Sequence, residues 1–242
     1  MHRARSRNSP HLKKRKILGV LFDWDGTLLN SYEADAAAYL AMFQVMDIAW
    51  GLEDLAEHYS PNWYNVYRAA GLHESRWEAA DLAWRATYAT QRPQLLPGAR
   101  ALLAKLQKNY ALGLVTSGDR DRVLRQLKNF RLMRTFPVRV CSGDTEEKKP
   151  HPAPLRLALK KTNLNPQDCV YVGDTREDVL MARSARVRTI GITGPFPTSR
   201  KLRLARPDVL LESLRELPAA LRKMQLQQNA DQPTRVLHPS AR

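Results

Sequence analysis

The sequence predicts an α/β fold, a Rossmann-like doubly wound parallel sheet with an inserted α-helical cap. Three observations predict it. Short apolar segments alternate with amphipathic helical segments over residues 99–192, which is typical of a parallel sheet with helices on both faces. Residues 31–92 form an almost unbroken run of helical patterns. A first apolar segment, residues 17–22, ends in two carboxylates, and ligands bind at this edge of such sheets.

The first strand is the run ILGVLF at residues 17–22, and it is followed by Asp23-Trp24-Asp25-Gly26-Thr27. Two carboxylates at the end of a buried strand cost free energy unless a cation compensates them. Gly26 allows the chain to turn sharply. The pattern therefore indicates a metal or ligand site, and the plainer alternative is a strand followed by an Asp-Gly turn.

The helical insert begins directly after this turn. A helix is expected over residues 32–48, two shorter segments are separated by Pro61 and Gly71, and another helix spans residues 74–91. Because no strand pattern interrupts them, residues 31–93 are assigned to a cap over the carboxyl edge of the sheet.

The rest of the chain returns to the sheet. The core is assigned to residues 17–30 and 94–197, and a further strand and helix to residues 198–224. Strands alternate with amphipathic helices throughout this part. The expected strands are 111–115, 137–141, 169–172, 187–192 and 208–211, and the expected helices are 99–109, 121–129, 152–161, 177–185 and 212–223.

Composition places the charge at the ends of the chain. The net charge is +15, and residues 1–16 hold seven lysines and arginines and no acid. Residues 1–16 and the polar residues 225–242 are expected to be disordered. The basic ends could bind polyanions weakly and without sequence preference. Two cysteines give no disulfide framework, which favours a cytoplasmic protein. No apolar run is long enough for a membrane span.

Four segments match, in order, the motifs of one superfamily. They are DWDGTL, LGLVTS, KKPHP and VYVGDTREDV, and each lies at or shortly after the end of an expected strand. This set resembles the haloacid dehalogenase superfamily, and the helical insert is similar to the cap of its phosphoglycolate phosphatase and β-phosphoglucomutase branch. The resemblance covers residues 17–192.

The resemblance implies roles for individual residues. Asp23 would be the nucleophile and Asp25 the general acid/base. The Thr116 hydroxyl and the Ser117 amide would bind the phosphoryl oxygens. Lys149, rather than its neighbour Lys148, would neutralise the charge shared by Asp23 and the phosphoryl group.

The resemblance also implies a magnesium ion. Asp23, Asp25 and Asp174 form an oxygen-rich set that suits a hard cation, while no cluster of histidine and cysteine suggests zinc. Asp178 could hold a metal-bound water or could instead compensate the N-terminal charge of its helix.

The function implied is a magnesium-dependent phosphatase that hydrolyses a small phosphate monoester, phosphoglycolate-like or a sugar phosphate, through an aspartyl-phosphate. A phosphomutase of the β-phosphoglucomutase type is the alternative in the same site. A nucleic-acid-binding protein that uses the basic ends is the alternative of another class. Tyr64, Arg68 and His58 are the cap residues suggested to face the substrate. Arg186 stands where related chains end a helix with glycine, so it must adopt a left-handed conformation or end the helix differently.

Overall fold

A computed structural model describes residues 16–230 of the chain. Its strands alternate with helices as the sequence predicts. They are β1 (Gly19–Phe22), β2 (Leu29–Asn30), β3 (Gln94–Leu95), β4 (Ala111–Asp119), β5 (Val138–Ser142), β6 (Cys169–Gly173), β7 (Arg188–Ile192) and β8 (Val209–Leu211).

Ten α-helices lie within the same residues, together with three short 3-10 turns at Glu74–Arg76, Pro166–Asp168 and Leu214–Glu216. The helices are α1 (Tyr32–Val45), α2 (Leu52–His58), α3 (Trp63–Ala69), α4 (Trp77–Thr90), α5 (Ala99–Leu106), α6 (Arg120–Asn129), α7 (Ala153–Thr162), α8 (Arg176–Ser184), α9 (Ser199–Ala205) and α10 (Leu217–Ala230).

The main sheet has six parallel strands in the order β5-β4-β1-β6-β7-β8. β1 is central and completely buried. Val20 and Phe22 pack into the apolar cluster on one face, whereas Leu21 packs into the cluster on the other. Helices cover both faces, which is why β1 reads as a continuous apolar run rather than an alternating one.

The cap consists of α1–α4, and a two-stranded antiparallel ribbon joins it to the core. Leu29 pairs with Leu95, and Asn30 pairs with Gln94, so the chain enters and leaves the cap at one point. The cap has its own apolar core around Met42, Phe43, Leu55, Val66 and Tyr67. The ribbon was not predicted, because strands of two residues carry no periodicity.

Helix α10 extends further than the sequence predicts. The expected disordered tail at residues 225–242 is wrong for residues 225–230, which are helical. The Gln225 side chain accepts a hydrogen bond from the Ile17 amide at 2.6 Å. Gln228 accepts one from Arg188 at 2.8 Å and donates one to the Gln167 carbonyl. These polar side chains tie the last turns of α10 to the core, an interaction that composition alone does not reveal.

The basic arm at residues 1–15 and the tail at residues 231–242 lie outside the described residues. Helix α9, which follows a proline-rich stretch, was not predicted either. Among residues 16–230, none of the helices has the length and apolar character that crossing a membrane requires.

Arg186 ends α8 in a left-handed conformation with φ +60°. A non-glycine residue pays about 1 kcal/mol for this backbone conformation. Arg186→Gly should therefore raise the free energy of unfolding by up to about 1 kcal/mol, measured by urea denaturation. Ser184→Gly, an exposed change at the last residue of the same helix, should instead lower it by about 0.5 kcal/mol. A loss of stability in Arg186→Gly would contradict the strain argument.

Candidate active site

Three neighbouring strands carry the expected site residues to one edge of the sheet. Asp23 follows β1, Thr116 and Ser117 lie in β4, and Asp174 follows β6. Because β4, β1 and β6 are adjacent and parallel, their carboxyl ends meet. These residues and Asp25 line one cavity of about 110 Å³ between the core and the cap.

Three carboxylates form a buried cluster at this edge. Asp23, Asp174 and Asp178 each offer an oxygen within 4.8 Å of the others, and each residue is at most 5 % exposed. The ammonium of Lys149 lies 2.9 Å from Asp23 Oδ1 and 2.7 Å from Asp178 Oδ1. One lysine cannot neutralise three carboxylates, so the cluster as it stands carries excess negative charge.

Asp178 anchors both Lys149 and the start of α8. Its Oδ1 accepts from Lys149, and its Oδ2 accepts from the Thr175 amide at 3.1 Å and the Thr175 hydroxyl at 2.7 Å. These contacts form a capping box with Thr175 as the N-cap. Both oxygens are therefore occupied, which favours the helix-terminus alternative for Asp178 over direct metal binding.

Tyr171 is a site residue that the sequence analysis missed. Its hydroxyl accepts a hydrogen bond from Lys149 at 2.9 Å and donates one to the Val115 carbonyl at 2.8 Å. Lys149 is thereby held from β6 as well as by the carboxylates, and its side chain is 2 % exposed. Nothing in the pattern VYVGD distinguishes this tyrosine from an ordinary core residue.

Burial shifts the acidity of the cluster. It raises the pKa of Asp23 to about 7, although the charge of Lys149 opposes the shift. Burial, followed by repulsion from Asp23 and Asp178, raises the pKa of Asp174 well above its usual value. Both carboxyl groups therefore need a nearby cation in order to stay ionised.

The donor set fits a magnesium ion at Asp23 and Asp174. Asp174 Oδ2 is buried without a hydrogen-bond partner among the described residues, whereas Oδ1 accepts from the Thr27 hydroxyl at 2.7 Å. An unpartnered buried carboxylate oxygen is costly unless a cation binds it. Carboxylate oxygens are the ligands that hard divalent cations prefer.

Asp25 does not join this cluster. Its two oxygens accept from Arg122 Nη1 at 3.0 Å and Nη2 at 2.7 Å, and Oδ1 also accepts from the Ser31 hydroxyl at 2.9 Å. The prediction that the Asp25 side chain is a metal ligand is therefore corrected, since its carboxylate is committed to an arginine. Burial raises the pKa of Asp25, but the charge and hydrogen bonds of Arg122 outweigh it and hold that pKa below its usual value.

Thr116 and Ser117 both line the cavity next to Asp23. The Thr116 hydroxyl accepts a hydrogen bond from the Gly118 amide at 3.0 Å, which fixes its orientation. The Ser117 hydroxyl is buried and has no hydrogen-bond partner within residues 16–230. Their phosphoryl-binding roles stay predictions.

The cap closes the cavity with aromatic side chains. Tyr39, Tyr59, Trp63, Tyr67, Trp84 and Tyr88 line it, together with Asp35, Asp81 and Arg85. The three cap residues suggested to face the substrate, His58, Tyr64 and Arg68, do not line the cavity. Tyr64 and Arg68 stack on Trp77, and the His58 ring lies 4.9 Å from the Trp50 ring. Helical patterns do not reveal which face of a cap helix turns toward the core.

Lys148, the neighbour of Lys149, contacts the cap. Its ammonium lies 4.6 Å from the centre of the Trp63 ring and 5.3 Å from that of Tyr64. It is therefore a cation–π contact between core and cap rather than a fully solvated charge.

A model of haloacid dehalogenase-like hydrolases matches residues 20–192. The chain belongs to this family, which confirms the predicted fold class and the prediction that the protein is a hydrolytic enzyme.

Curated relatives align over most of their length. A phosphoglycolate phosphatase of Yersinia pseudotuberculosis is 30 % identical over 221 residues, covering 87 % of this chain and 95 % of the relative. The pyrophosphatase PpaX of Bacillus pumilus is 29 % identical over 213 residues, covering 86 % of this chain and 98 % of the relative.

Solved structures share the fold. A hydrolase from Pseudomonas syringae superposes with a TM-score of 0.76 at 24 % identity, covering 86 % of this chain and 99 % of that one. CbbY from Rhodobacter sphaeroides, solved in complex with phosphate, gives a TM-score of 0.70 at 26 % identity, covering 85 % and 99 %.

A substitution at Gly26 would measure how tightly the turn packs against Asp174. Its φ is +76°, and an added Cβ would lie 2.3 Å from Asp174 Oδ2. Gly26→Ala should lower the free energy of unfolding by about 2–4 kcal/mol, combining backbone strain with overpacking. Gly71→Ala is the matched control, because its φ is +71° but no atom lies within 4 Å of the added Cβ. It should lose only about 1 kcal/mol in the same urea titration. Equal losses would show that strain alone acts at Gly26.

Proposed function

We propose that the protein is a magnesium-dependent phosphatase that hydrolyses a small phosphate monoester through an aspartyl-phosphate on Asp23. The observation that carries the proposal is the position of Asp23. Its carboxylate lies in the cavity, 2.9 Å from the buried Lys149 ammonium and beside the unpartnered oxygen of Asp174. An ionised carboxylate next to fixed positive charge is what attack on phosphorus requires.

Each residue then has one task. Asp23 attacks phosphorus, and the bond to the leaving oxygen breaks. Asp25 protonates that oxygen and later takes a proton from the water that attacks the aspartyl-phosphate. Lys149 offsets the negative charge on the phosphoryl group, and the Thr116 hydroxyl and Ser117 amide orient its oxygens. The cycle ends with free alcohol, inorganic phosphate and Asp23 restored.

Asp23 and Asp174 would hold the magnesium ion, with Asp178 supporting the site through Lys149 and Thr175. The ion, when bound, supplies positive charge that keeps Asp23 ionised and offsets the charge of the phosphate. The fit rests on the buried carboxylate oxygens described above.

The names of the relatives point to substrates of two kinds. Phosphoglycolate phosphatases favour a phosphate monoester, and PpaX is named a pyrophosphatase. We propose a monoester with a small organic leaving group, phosphoglycolate-like or a sugar phosphate, because the aromatic cap wall offers apolar contact to carbon. A phosphomutase would have to retain the phosphoryl group, and a sugar bisphosphate accumulating in place of free phosphate would favour it.

Two further proposals concern the whole chain. Cys141 and Cys169 are free and buried, which agrees with a reducing, cytoplasmic setting. Weak polyanion binding would come from the basic ends, residues 1–16 and 198–242, of which residues 1–15 and 231–242 lie outside the described residues.

Asp23→Asn should reduce turnover of a phosphate monoester such as p-nitrophenyl phosphate below one per cent of wild type, because an amide is not a nucleophile. The change keeps the side-chain volume, so thermal unfolding should show a folded protein. Asp121→Asn, an exposed carboxylate at the start of α6, should retain full activity. Substantial turnover by Asp23→Asn would refute the nucleophile.

Removal of magnesium should abolish turnover, and EDTA followed by excess Mg²⁺ should restore it. Mg²⁺ should also raise the melting temperature, because it binds the folded state alone. Asp174→Asn should lose both responses, since it removes the ionised ligand. Full activity in EDTA, or an unchanged response to Mg²⁺ in Asp174→Asn, would contradict the proposed site.

Lys149→Ala should lower kcat/KM by about 10²-fold or more, because a fixed positive charge at the phosphoryl group is lost. Lys148→Ala is the matched control. It removes a cap contact rather than a charge beside Asp23, so a change within about fivefold is expected, a loss under about 1 kcal/mol for a half-buried cation–π pair. Equal losses would mean that Lys149 has no special part in the reaction.

A further inference from the structure

Arg122 makes the closest contact to the Asp25 side chain. Its two terminal nitrogens donate one to each oxygen of Asp25, at 3.0 and 2.7 Å. This is the parallel, bidentate pairing of guanidinium and carboxylate, which fixes orientation as well as charge. Ser31 donates a third hydrogen bond to the same carboxylate. The Asp25 side chain is 22 % exposed, so without these donors it could turn to other rotamers.

The surrounding structure leaves Arg122 little freedom. Its side chain is 11 % exposed, and its backbone amide donates to Asp119 Oδ1 at the start of α6. A Cβ at position 118 would lie 2.4 Å from Arg122 Nη2, so the glycine there makes room for the guanidinium. Arg122 therefore lies in the first turn of α6, and its guanidinium is held against Asp25.

The cap takes part in the same arrangement. The Arg122 guanidinium lies 4.9 Å from the centre of the Tyr88 ring in α4, and Nη1 is 3.3 Å from the Tyr88 hydroxyl. Gln126, one turn further along α6, accepts from Trp24 at 2.8 Å. The turn after β1, helix α6 and the cap thus each contact the guanidinium, through Asp25, Gln126 and Tyr88.

We infer that Arg122 is a positioning residue that holds the Asp25 carboxylate in the orientation needed for proton transfer, with Tyr88 of the cap supporting the arginine. The inference rests on the proposed function, because Asp25 acts there as the general acid/base. Proton transfer needs the carboxyl group within hydrogen-bond reach of the reacting oxygen, and a freely rotating side chain meets that condition only part of the time. Arg122 also lines the cavity, but in this role it acts through Asp25 and not on a reacting atom.

A second task for an arginine in a phosphate site is to bind an anionic part of the substrate. The two tasks predict different kinetics. A positioning residue acts only through Asp25, so its loss matters only where the reaction needs proton transfer. An anion-binding residue acts on every substrate and independently of Asp25.

The test compares two phosphate esters in excess Mg²⁺. Glycerol phosphate has a poor leaving group that must be protonated, whereas 2,4-dinitrophenyl phosphate expels a stable anion that needs no proton. In Arg122→Ala, kcat/KM should fall about 10²-fold on glycerol phosphate and less than about fivefold on the dinitrophenyl ester. Arg122→Lys should behave similarly, because one ammonium cannot make two parallel hydrogen bonds. Arg125→Ala, an exposed change on the same helix, should alter neither value.

Two measurements separate positioning from general damage to the fold. The double variant Asp25→Asn/Arg122→Ala should be no slower on glycerol phosphate than Asp25→Asn alone. Added guanidinium should partly restore Arg122→Ala on glycerol phosphate, yet leave Asp25→Asn unchanged. If Arg122→Ala does not fold, the Arg122→Lys comparison and its double variant decide the question.

Equal losses on the two esters, or losses in the double variant that multiply, would overturn the positioning role and favour anion binding. These outcomes leave the proposed function intact, since wild-type enzyme would still hydrolyse both esters. If wild-type enzyme hydrolyses neither ester with Mg²⁺, the proposed function fails, and the role of Arg122 falls with it.

Discussion

The balance of charge around Asp23 is the constraint on which the site depends. Three buried carboxylates meet a single buried lysine. Burial, followed by repulsion between the carboxylates, raises the pKa values of Asp23 and Asp174. Burying charges without full compensation costs several kcal/mol per ion. The fold keeps them there because the carboxyl ends of β1 and β6 are adjacent and the chain turns at Gly26 against Asp174. The unpartnered Asp174 oxygen marks where further positive charge fits.

The pair of Asp25 and Arg122 has the opposite effect on acidity, because it lowers a carboxyl pKa. Arg122 meets both oxygens of Asp25 and lowers its pKa, whereas the environment of Asp23 raises that of its carboxyl group. Two aspartates separated by one residue therefore lie in distinct electrostatic environments. In the proposed reaction their parts are nucleophile and acid/base. A nucleophile must be ionised and a general acid protonated, so both shifts run against the parts that the two carboxyl groups take in the proposed reaction. Positive charge bound beside Asp23 would ionise that carboxyl group, whereas Asp25 must gain its proton against the charge of Arg122.

The sequence revealed the sheet, the helical insert and the residues at the strand ends, because each leaves a local pattern. An apolar run followed by Asp23 and Asp25 marks a strand end wherever the chain goes next. Arg122, Tyr171 and the cap face left no such pattern. Their importance depends on which helix face meets the cavity and which side chain reaches across it, and these are tertiary facts. The same reason explains α10, where Gln225 and Gln228 find partners distant in sequence.

Lys148 and Lys149 show most clearly what a local sequence pattern does not reveal. They are adjacent in sequence and chemically identical, yet one stacks on Trp63 of the cap and the other is buried beside Asp23. The KKPHP motif indicated Lys149 as the lysine beside Asp23, and the structure has it there. It gave no hint that the first lysine joins core to cap, because that contact requires the cap to be folded over the sheet.

The most direct measurement of the central claim is the covalent intermediate. Enzyme mixed with a phosphate monoester and Mg²⁺ would be quenched in acid within milliseconds, reduced with borohydride and digested for mass spectrometry. An acyl phosphate on aspartate is reduced to homoserine, so homoserine is expected at position 23, dependent on substrate and Mg²⁺. Aspartate intact at position 23 during turnover, or homoserine at position 25 instead, would contradict Asp23 as the nucleophile.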